Sequence, residues 1–130
     1  MQIISIINQK GGVGKTTTVI NLGAGLVQQK KKVLVIDLDP QGNATTGLGL
    51  SNLENSSETI YGVLNGTKDI SAVIKKTDFT DLDIVSSNVD LSGLEVETAG
   101  DSKRAFILKG KLAAYLNDSK PSYDYILIDC

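Results

Sequence analysis

The chain has 130 residues, with 13 lysines and arginines against 15 aspartates and glutamates. This length suffices for one domain with a buried core, and the near balance of charge gives no sign of a nucleic-acid-binding surface within these residues. The single cysteine, Cys130, excludes an intrachain disulfide, so a reducing cytosol is the default compartment. The first apolar run is too short to span a membrane and lacks the features of a signal peptide.

The first predicted elements are a strand, a glycine-rich loop and a helix. Residues 2–8 are a short, isoleucine-rich run without alternation, which is typical of a buried parallel strand. Residues 16–29 carry apolar side chains at helical spacing, which predicts a helix packed on a sheet. The loop between them, residues 10–17, has the sequence Lys-Gly-Gly-Val-Gly-Lys-Thr-Thr. Strand, glycine loop and helix together are the arrangement that holds a nucleotide phosphate.

The residue types of this loop suit phosphate binding. Its three glycines allow several backbone N–H groups to point into one concavity, and the start of the helix adds the positive end of its dipole. Lys15 supplies a positive charge for the outer phosphates, and the hydroxyl of Thr16 suits a Mg²⁺ ligand. A glycine turn without a ligand is the alternative, but strand, loop and helix agree with one another. A dinucleotide-binding fingerprint is excluded, because its third glycine would fall at Thr17.

The loop departs from the usual consensus G-x-x-x-x-G-K-[ST], whose first glycine would fall at Gln9. Instead, an extra lysine, Lys10, precedes the glycine pair. This pattern resembles K-G-G-x-G-K-[ST], the deviant loop of the ParA/MinD group of P-loop ATPases. The resemblance implies an α/β fold in which helices flank a mostly parallel sheet in three layers. It also implies that ATP is bound by Lys10, Gly11, Gly12, Val13, Gly14, Lys15, Thr16 and Thr17.

The predicted first helix has two notable features. Gly23 and Gly25 weaken it by propensity but permit close approach to a strand. A run of three lysines, residues 30–32, follows where positive charge suits the helix dipole. DNA contact is an alternative role for these lysines, and a solvated helix end is the simpler interpretation.

A second buried strand is predicted at residues 33–36, ending in Asp37-Leu38-Asp39-Pro40. The proline stops strand pairing. Because ligands of open parallel sheets lie beyond the carboxyl ends of the strands, we expect Asp37 and Asp39 to lie near the phosphate loop. The next residues, 41–49, are small and polar, which suits a flexible loop that responds to the nucleotide.

The glycine loop together with residues 37–45 resembles the ParA/Soj branch, the chromosome and plasmid partition ATPases. MinD-type proteins share the loop but usually differ after the second strand, and nitrogenase iron proteins need cluster-ligating cysteines that this chain lacks. The resemblance implies ATP and Mg²⁺ as cofactors, with Asp39 orienting the attacking water and Asp37 supporting metal and loop. Lys10 would reach the phosphates of the other subunit in a nucleotide-sandwich homodimer, so that Lys10, Lys15 and Asp39 would be catalytic.

Residues 59–122 carry no further functional motif. The patterns predict helices at 59–65, with Thr59 as cap and Gly66 as stop, at 70–75, at 90–98 and at 102–116, and a strand at 83–86. The apolar side of the last helix is expected to consist of Phe106, Ile107, Leu112, Ala113 and Leu116.

The last segment, residues 123–129, is an apolar strand that ends in an aspartate, which is the Walker B pattern. Downstream of a glycine loop it indicates that Asp129 holds Mg²⁺, usually through a water. Members of the resembled family continue beyond this aspartate. We therefore expect residues 1–130 to be the N-terminal part of a single P-loop ATPase domain, truncated after the Walker B strand, with a sheet edge exposed.

The resemblance implies a bacterial, cytoplasmic, nucleoid-associated partition protein. Its ATP-bound homodimer would bind DNA non-specifically through the missing C-terminal half, and a ParB-like centromere-binding protein would stimulate hydrolysis; no membrane is expected. The alternatives are a MinD-like positioning ATPase at a membrane, a regulatory ATP-binding module with little turnover, and a small-molecule kinase or ligase. The residues after Asp39 favour a partition function over a MinD-like function. The presence of Lys10, Asp39 and Asp129 argues against a regulatory module with little turnover.

Overall fold

The structure, a computed structural model, describes residues 1–6, 13–50, 55–91, 101–119 and 121–129. Within these ranges the strands are β1 (Gln2–Ile6), β2 (Val33–Asp37), β3 (Ile74–Lys76), β4 (Leu82–Val85) and β5 (Tyr125–Asp129). The helices in the same ranges are α1 (Val13–Gln28), α2 (Asn43–Gly47), a 3₁₀ turn (Ser56–Glu58), α3 (Ile60–Leu64), α4 (Ile70–Val73) and α5 (Asp101–Ser119).

The described strands form one sheet in the order β1-β5-β2-β4-β3. β1, β5, β2 and β4 run parallel to one another, and β3 runs antiparallel to β4 at the edge. The mostly parallel sheet confirms the predicted fold class. The expectation of a buried strand at residues 2–8 was wrong for β1, whose residues are exposed or half-buried, because β5 is its only neighbour among the described strands. A helix had been predicted through residues 70–75, but α4 stops at Val73 and Ile74 is extended, paired with Val85. Strand pairing, a long-range contact, here overrides the local helical pattern.

Alternate residues of β2 face opposite sides of the sheet. Leu34 and Ile36 pack in one core with residues of α3, α4 and α5, whereas Val33 and Val35 pack in a second core with residues of α1 and α2. All residues of β2 are buried. Helices therefore cover both faces, which gives the three-layer α/β/α arrangement and explains why this strand is apolar throughout.

Helix α1 begins at Val13, three residues before its predicted start, and buries Val19 against the sheet. A Cβ at Gly23 would lie 3.2 Å from Cδ1 of Leu82, so this glycine does permit close approach to β4. The same expectation for Gly25 was wrong, because a Cβ there would meet no atom of the described residues within 4 Å. Only one of the two glycines has a packing reason to be small.

Helix α2 replaces part of the flexible loop predicted for residues 41–49. Gly42 adopts a left-handed conformation, with φ at 65°, and the chain then makes one helical turn. Ala44 and Leu48 are fully buried in the same core as Val19. The loop prediction was wrong for residues 43–47, because two apolar side chains in a polar stretch anchor it to the core.

Helix α5 is longer than predicted, and its buried side differs. Phe106 is 76% exposed and Ala113 is also exposed, contrary to the predicted apolar side. Ile107 and Leu116 of the predicted side are partly buried against the core, as expected, and the buried side chains are Leu108, the predicted Leu112 and Tyr115. Their spacing of four and three residues is that of one helical stripe.

The short helix α3 matches its prediction closely. The Thr59 hydroxyl accepts a hydrogen bond from the Tyr61 amide at 3.2 Å and caps the helix, and Gly66 follows with φ at 87°. The helix predicted at 90–98 falls almost entirely outside the described residues.

Candidate functional site

The carboxyl ends of three parallel strands lie side by side. In the sheet register Ile6 of β1 pairs with Asp129 of β5, and Asp129 pairs with Asp37 of β2. The Leu38 amide donates a hydrogen bond of 2.8 Å to the Asp129 carbonyl. Two aspartates from distant parts of the sequence thus occupy neighbouring positions at one edge of the sheet.

The glycine loop starts from this same edge. It follows β1, which ends at Ile6, and precedes α1, which begins at Val13. Lys10, Gly11 and Gly12 lie outside the described residues. Gly14, Lys15 and Thr16 continue the helical backbone of α1, and Thr17 is exposed in the same helix.

Asp37 is fully buried and richly hydrogen-bonded. Its Oδ1 accepts the Asp39 amide at 3.0 Å, and its Oδ2 accepts the Thr45 amide at 2.9 Å and the Thr45 hydroxyl at 2.7 Å. Burial raises the pKa of Asp37 to about 6, and the Asp129 charge also raises it, while the hydrogen bonds from Thr45 and Asp39 lower it. Burial outweighs the hydrogen bonds, so this carboxylate would gain from a nearby cation.

Asp37 and Asp129 are suited to hold Mg²⁺. Both side chains are fully buried at adjacent register positions. Two buried like charges are costly unless a cation or hydrogen bonds compensate them. Carboxylate oxygens are the donors that Mg²⁺ takes in proteins, usually one or two carboxylates together with substrate phosphates. The residues present at this edge therefore fit the metal implied by the sequence.

Asp39 is half-buried and oriented by its own neighbours. Its Oδ1 accepts the Gln41 amide at 3.0 Å, and its Oδ2 accepts a hydrogen bond of 3.2 Å from the Asn43 side chain. The first contact is an Asx-turn, in which an aspartate accepts from the amide two residues ahead. Such a carboxylate is held in place yet accessible to a water molecule. Sequence reasoning missed Gln41 and Asn43, although Asp-Pro-Gln is a recognisable turn signal.

Thr45 is a second residue that sequence reasoning missed. It is fully buried, and its hydroxyl contacts Asp37 and also accepts a hydrogen bond of 2.9 Å from the Ser87 amide. No motif in a single sequence marks this long-range contact. It connects Asp37, the last residue of β2, to Ser87.

The comparison with known families agrees with this architecture. The sequence profile of the AAA domain family matches residues 1–130. The chain belongs to the AAA domain family. No helix in the described part of this AAA domain has the length and apolar character needed to cross a membrane.

The AAA domain has close curated relatives. It is 45% identical over 129 residues to the sporulation initiation inhibitor protein Soj of Bacillus subtilis, covering 99% of this chain and 49% of Soj. It is 43% identical over 130 residues to the chromosome partitioning protein ParA of Caulobacter vibrioides, covering 100% of this chain and 48% of ParA. The predicted resemblance to the ParA/Soj group is confirmed. The chain spans about half the length of the curated relatives it matches.

A solved structure also resembles the AAA domain along its whole length. This structure is that of cobyrinic acid a,c-diamide synthase from Mycobacterium smegmatis with bound ATP analogue and magnesium. The TM-score is 0.85 at 37% identity, and the match covers 100% of this chain and 51% of that one. The likeness confirms the P-loop ATPase fold expected from the sequence.

Proposed function

We propose that this AAA domain is the N-terminal part of a Mg²⁺-dependent ATPase of the ParA/Soj type. The observation that carries the proposal is the pairing of Asp37 with Asp129 at the edge where the glycine loop leaves β1. A phosphate loop beside two carboxylates is the constellation that P-loop ATPases use. The chromosome partitioning function named for the Caulobacter relative supports the same assignment.

The nucleotide would be bound by the loop and the start of α1. Backbone N–H groups of the three loop glycines and of Val13 would cradle the phosphates, with Lys15 on the outer phosphates and Thr17 near the innermost one. Asp129, Asp37 and the Thr16 hydroxyl would hold Mg²⁺, directly or through water. When bound, the metal would neutralise charge on the phosphate oxygens. The magnesium and ATP analogue bound to the Mycobacterium relative support the proposal that nucleotide and Mg²⁺ are bound together.

Hydrolysis would depend on Asp39 and Lys10. Asp39, held by Gln41 and Asn43, would orient the attacking water or take its proton. Lys10 would reach the phosphates of the second subunit in an ATP-bound homodimer. A charge supplied in this way resembles an arginine finger, a group worth about 10³–10⁵ in rate.

The cellular role would be segregation of a chromosome or plasmid. The ATP-bound dimer would bind DNA non-specifically through residues beyond this chain, in the cytoplasm and on the nucleoid. A ParB-like protein at the centromere would stimulate hydrolysis and so release the dimer. No membrane is expected, and a MinD-like positioning ATPase is the alternative.

The test that separates these two roles is co-sedimentation of the full-length protein. Loaded with ATP, it should bind random-sequence DNA, and binding should weaken steeply with salt because phosphate contacts release counterions. Anionic lipid vesicles, tested in parallel, should not bind it. Vesicle binding without DNA binding would overturn the partition role and favour the MinD-like alternative.

A second assay addresses the synthase named for the Mycobacterium neighbour. Phosphate release from ATP should rise with DNA and a ParB-like partner, and Lys15→Ala should abolish nucleotide binding. If turnover instead requires a carboxylic acid and a nitrogen donor, amide synthesis is the better assignment. If ATP binds but turnover stays negligible under all conditions, the chain is a regulatory module.

A further inference from the structure

The Thr45 hydroxyl forms a bridge of fixed polarity between β2 and the end of β4. It donates to Oδ2 of Asp37 at 2.7 Å and accepts from the Ser87 amide at 2.9 Å. An ionised carboxylate can only accept, and a backbone amide can only donate. The group between them must therefore donate one hydrogen bond and accept the other, and a hydroxyl can do this. Because donation to a carboxylate polarises the oxygen, the two hydrogen bonds strengthen each other.

The segment that receives this bridge, residues 86–91, is here named the β4 tail. Its Ser86 carbonyl accepts the Ile60 amide at 2.8 Å, and its Asn88 side chain donates to the Ser56 hydroxyl at 3.0 Å. The tail is thus attached on one side to Thr45 and on the other to residues 56–60. A displacement of Thr45 would be passed on to both segments.

The β4 tail also contains a buried hydroxyl with spare hydrogen-bonding capacity. Ser87 is 1% exposed, and its Oγ has no hydrogen-bond partner among the residues that the structure describes. Buried hydroxyls are ordinarily paired. A group of this kind beside the bridge offers the tail a second hydrogen-bonding arrangement once Thr45 moves.

We propose that Thr45 is a positioning residue that couples the nucleotide-facing end of β2 to the β4 tail. When residues 37–39 shift around ATP, the Thr45 hydroxyl moves with Asp37 and draws the Ser87 amide with it. The kinetic part of this inference rests on the proposed ATPase function; the bridge itself does not. A residue with a hydroxyl at position 45 should therefore preserve the coupling, and a residue without one should uncouple the two segments.

The first arm of the test uses the full-length protein without nucleotide. Thr45→Val keeps the shape of the side chain and removes the hydroxyl, so hydrogen exchange should show loss of protection at the Ser87 amide. Thr45→Ser should restore that protection. Thr46→Val is the matched control, because Thr46 is exposed on the same helix and undergoes the same chemical change.

The second arm measures ATP binding and turnover in the same variants. Thr45→Val should lower kcat about 10- to 100-fold, the usual cost of removing a group that orients a ligand-binding carboxylate, without changing the Kd for ATP. Mg-ATP should alter exchange of the β4 tail in the unsubstituted protein and in Thr45→Ser, but not in Thr45→Val. If Thr45→Val fails to fold, Thr45→Ala replaces it in both arms.

The outcomes separate failure of the bridge from failure of the proposed ATPase function. Unchanged Ser87 protection in Thr45→Val would overturn the inference, and so would a Thr45→Ser variant as impaired as Thr45→Val. Normal kcat in Thr45→Val with lost protection would overturn the coupling. If the unsubstituted protein binds no nucleotide, the proposed function is wrong, and the coupling to ATP is overturned with it, whereas the nucleotide-free exchange still decides whether the bridge exists.

Discussion

At the scale of single residues, the aspartate that ends β2 and the aspartate two residues later have different surroundings. Asp37 is fully buried and accepts hydrogen bonds from Thr45 and Asp39, whereas Asp39 is half-buried in an Asx-turn. A buried carboxylate suits a cation, and an oriented, accessible one suits a water. This difference in burial agrees with the roles proposed above, metal binding for Asp37 and water orientation for Asp39.

Asp39→Ala should leave ATP binding intact and abolish hydrolysis, because Asp39 contacts neither the phosphates nor the metal in the proposed mechanism. The ATP-bound dimer should then be long-lived. Phosphate release and the Kd for ATP are the measurements, with Asp118→Ala, an exposed aspartate on α5, as control. Normal hydrolysis by Asp39→Ala would show that another residue orients the water.

Asn43→Ala should lower kcat more than it changes the Kd for ATP. The Asn43 side chain donates to Oδ2 of Asp39 at 3.2 Å, so its loss frees the carboxylate to rotate. Removal of an orienting partner costs about 10-fold or more. Thr46→Ala, on the same helix and exposed, should behave like the unsubstituted protein in steady-state kinetics.

Tyr123 provides a pH-dependent contribution to stability away from the nucleotide site. Its hydroxyl donates to Oδ2 of Asp83 at 2.6 Å. Burial raises the pKa of Tyr123, and the hydrogen bond to Asp83 and the charges of Asp83 and Tyr115 raise it further. A pKa above that of the unfolded chain means that the stabilisation is complete below pH 10 and is lost as pH rises through the folded-state pKa.

Tyr123→Phe should therefore cost about 1 kcal/mol of unfolding free energy at pH 7, the usual worth of one hydrogen bond. The cost should shrink above pH 10, because the unfolded tyrosine protein then loses the proton of the Tyr123 hydroxyl while the folded protein keeps it. This loss stabilises the unfolded state of the tyrosine protein and has no counterpart in the phenylalanine variant. Urea unfolding at both pH values measures this change. In an Asp83→Asn background the substitution should cost less and vary less with pH, and an equal pH dependence there would contradict the assignment.

At the scale of elements, the packing of α1 on the sheet distinguishes its two central glycines. Gly23 faces Leu82, a fully buried side chain of β4, while no atom in the described part of the chain lies within 4 Å of a Cβ placed at Gly25. Helix propensity favours alanine over glycine at both positions. Tertiary contact opposes the substitution at only one of them.

Gly25→Ala should raise the unfolding free energy by up to about 1 kcal/mol, the propensity difference in a helix interior. Gly23→Ala should gain less or lose stability, because its Cβ would lie 3.2 Å from Cδ1 of Leu82. Thermal or urea unfolding of the pair measures the difference. Adding Leu82→Val to Gly23→Ala should recover part of the loss, and equal gains at both glycines would argue against the close approach.

At the scale of the whole molecule, β1 lies at the end of the sheet with apolar surface beside it. β1 pairs with β5, and no described strand lies on its other side. Ile3 is 45% exposed and lines a groove of about 370 Å³ with Leu108, Leu112 and Leu116 of α5. An unpaired edge next to apolar surface promotes association between chains.

The 130-residue polypeptide should therefore self-associate with rising concentration, and Ile3→Lys should reduce this, because a charge on an edge strand opposes pairing. Sedimentation velocity measures the association. Val89→Lys is the control, since Val89 is 71% exposed in a turn outside the sheet. Association that is unaffected by Ile3→Lys, or equally reduced by Val89→Lys, would locate the contact elsewhere.

The sequence by itself determined the parts of this protein that depend on local chemistry. An unbroken apolar run predicts a strand covered on both faces, and β2 and β5 have that environment. Aspartates at the ends of such runs fall at the carboxyl edge of a parallel sheet, which is where Asp37 and Asp129 lie. The mostly parallel, three-layer fold was implied by the resemblance to the ParA/MinD group that the glycine loop carries.

Only the tertiary structure decided the features that depend on contacts between distant residues. Strand pairing with β4 ended α4 and created β3, burial of Ala44 and Leu48 turned a polar loop into α2, and the stripe of α5 that meets the core left Phe106 exposed. The Thr45–Ser87 bridge joins positions 42 residues apart and has no local pattern. Local propensity differs by fractions of a kcal/mol per residue, so burial and pairing, which are worth more, decide these cases.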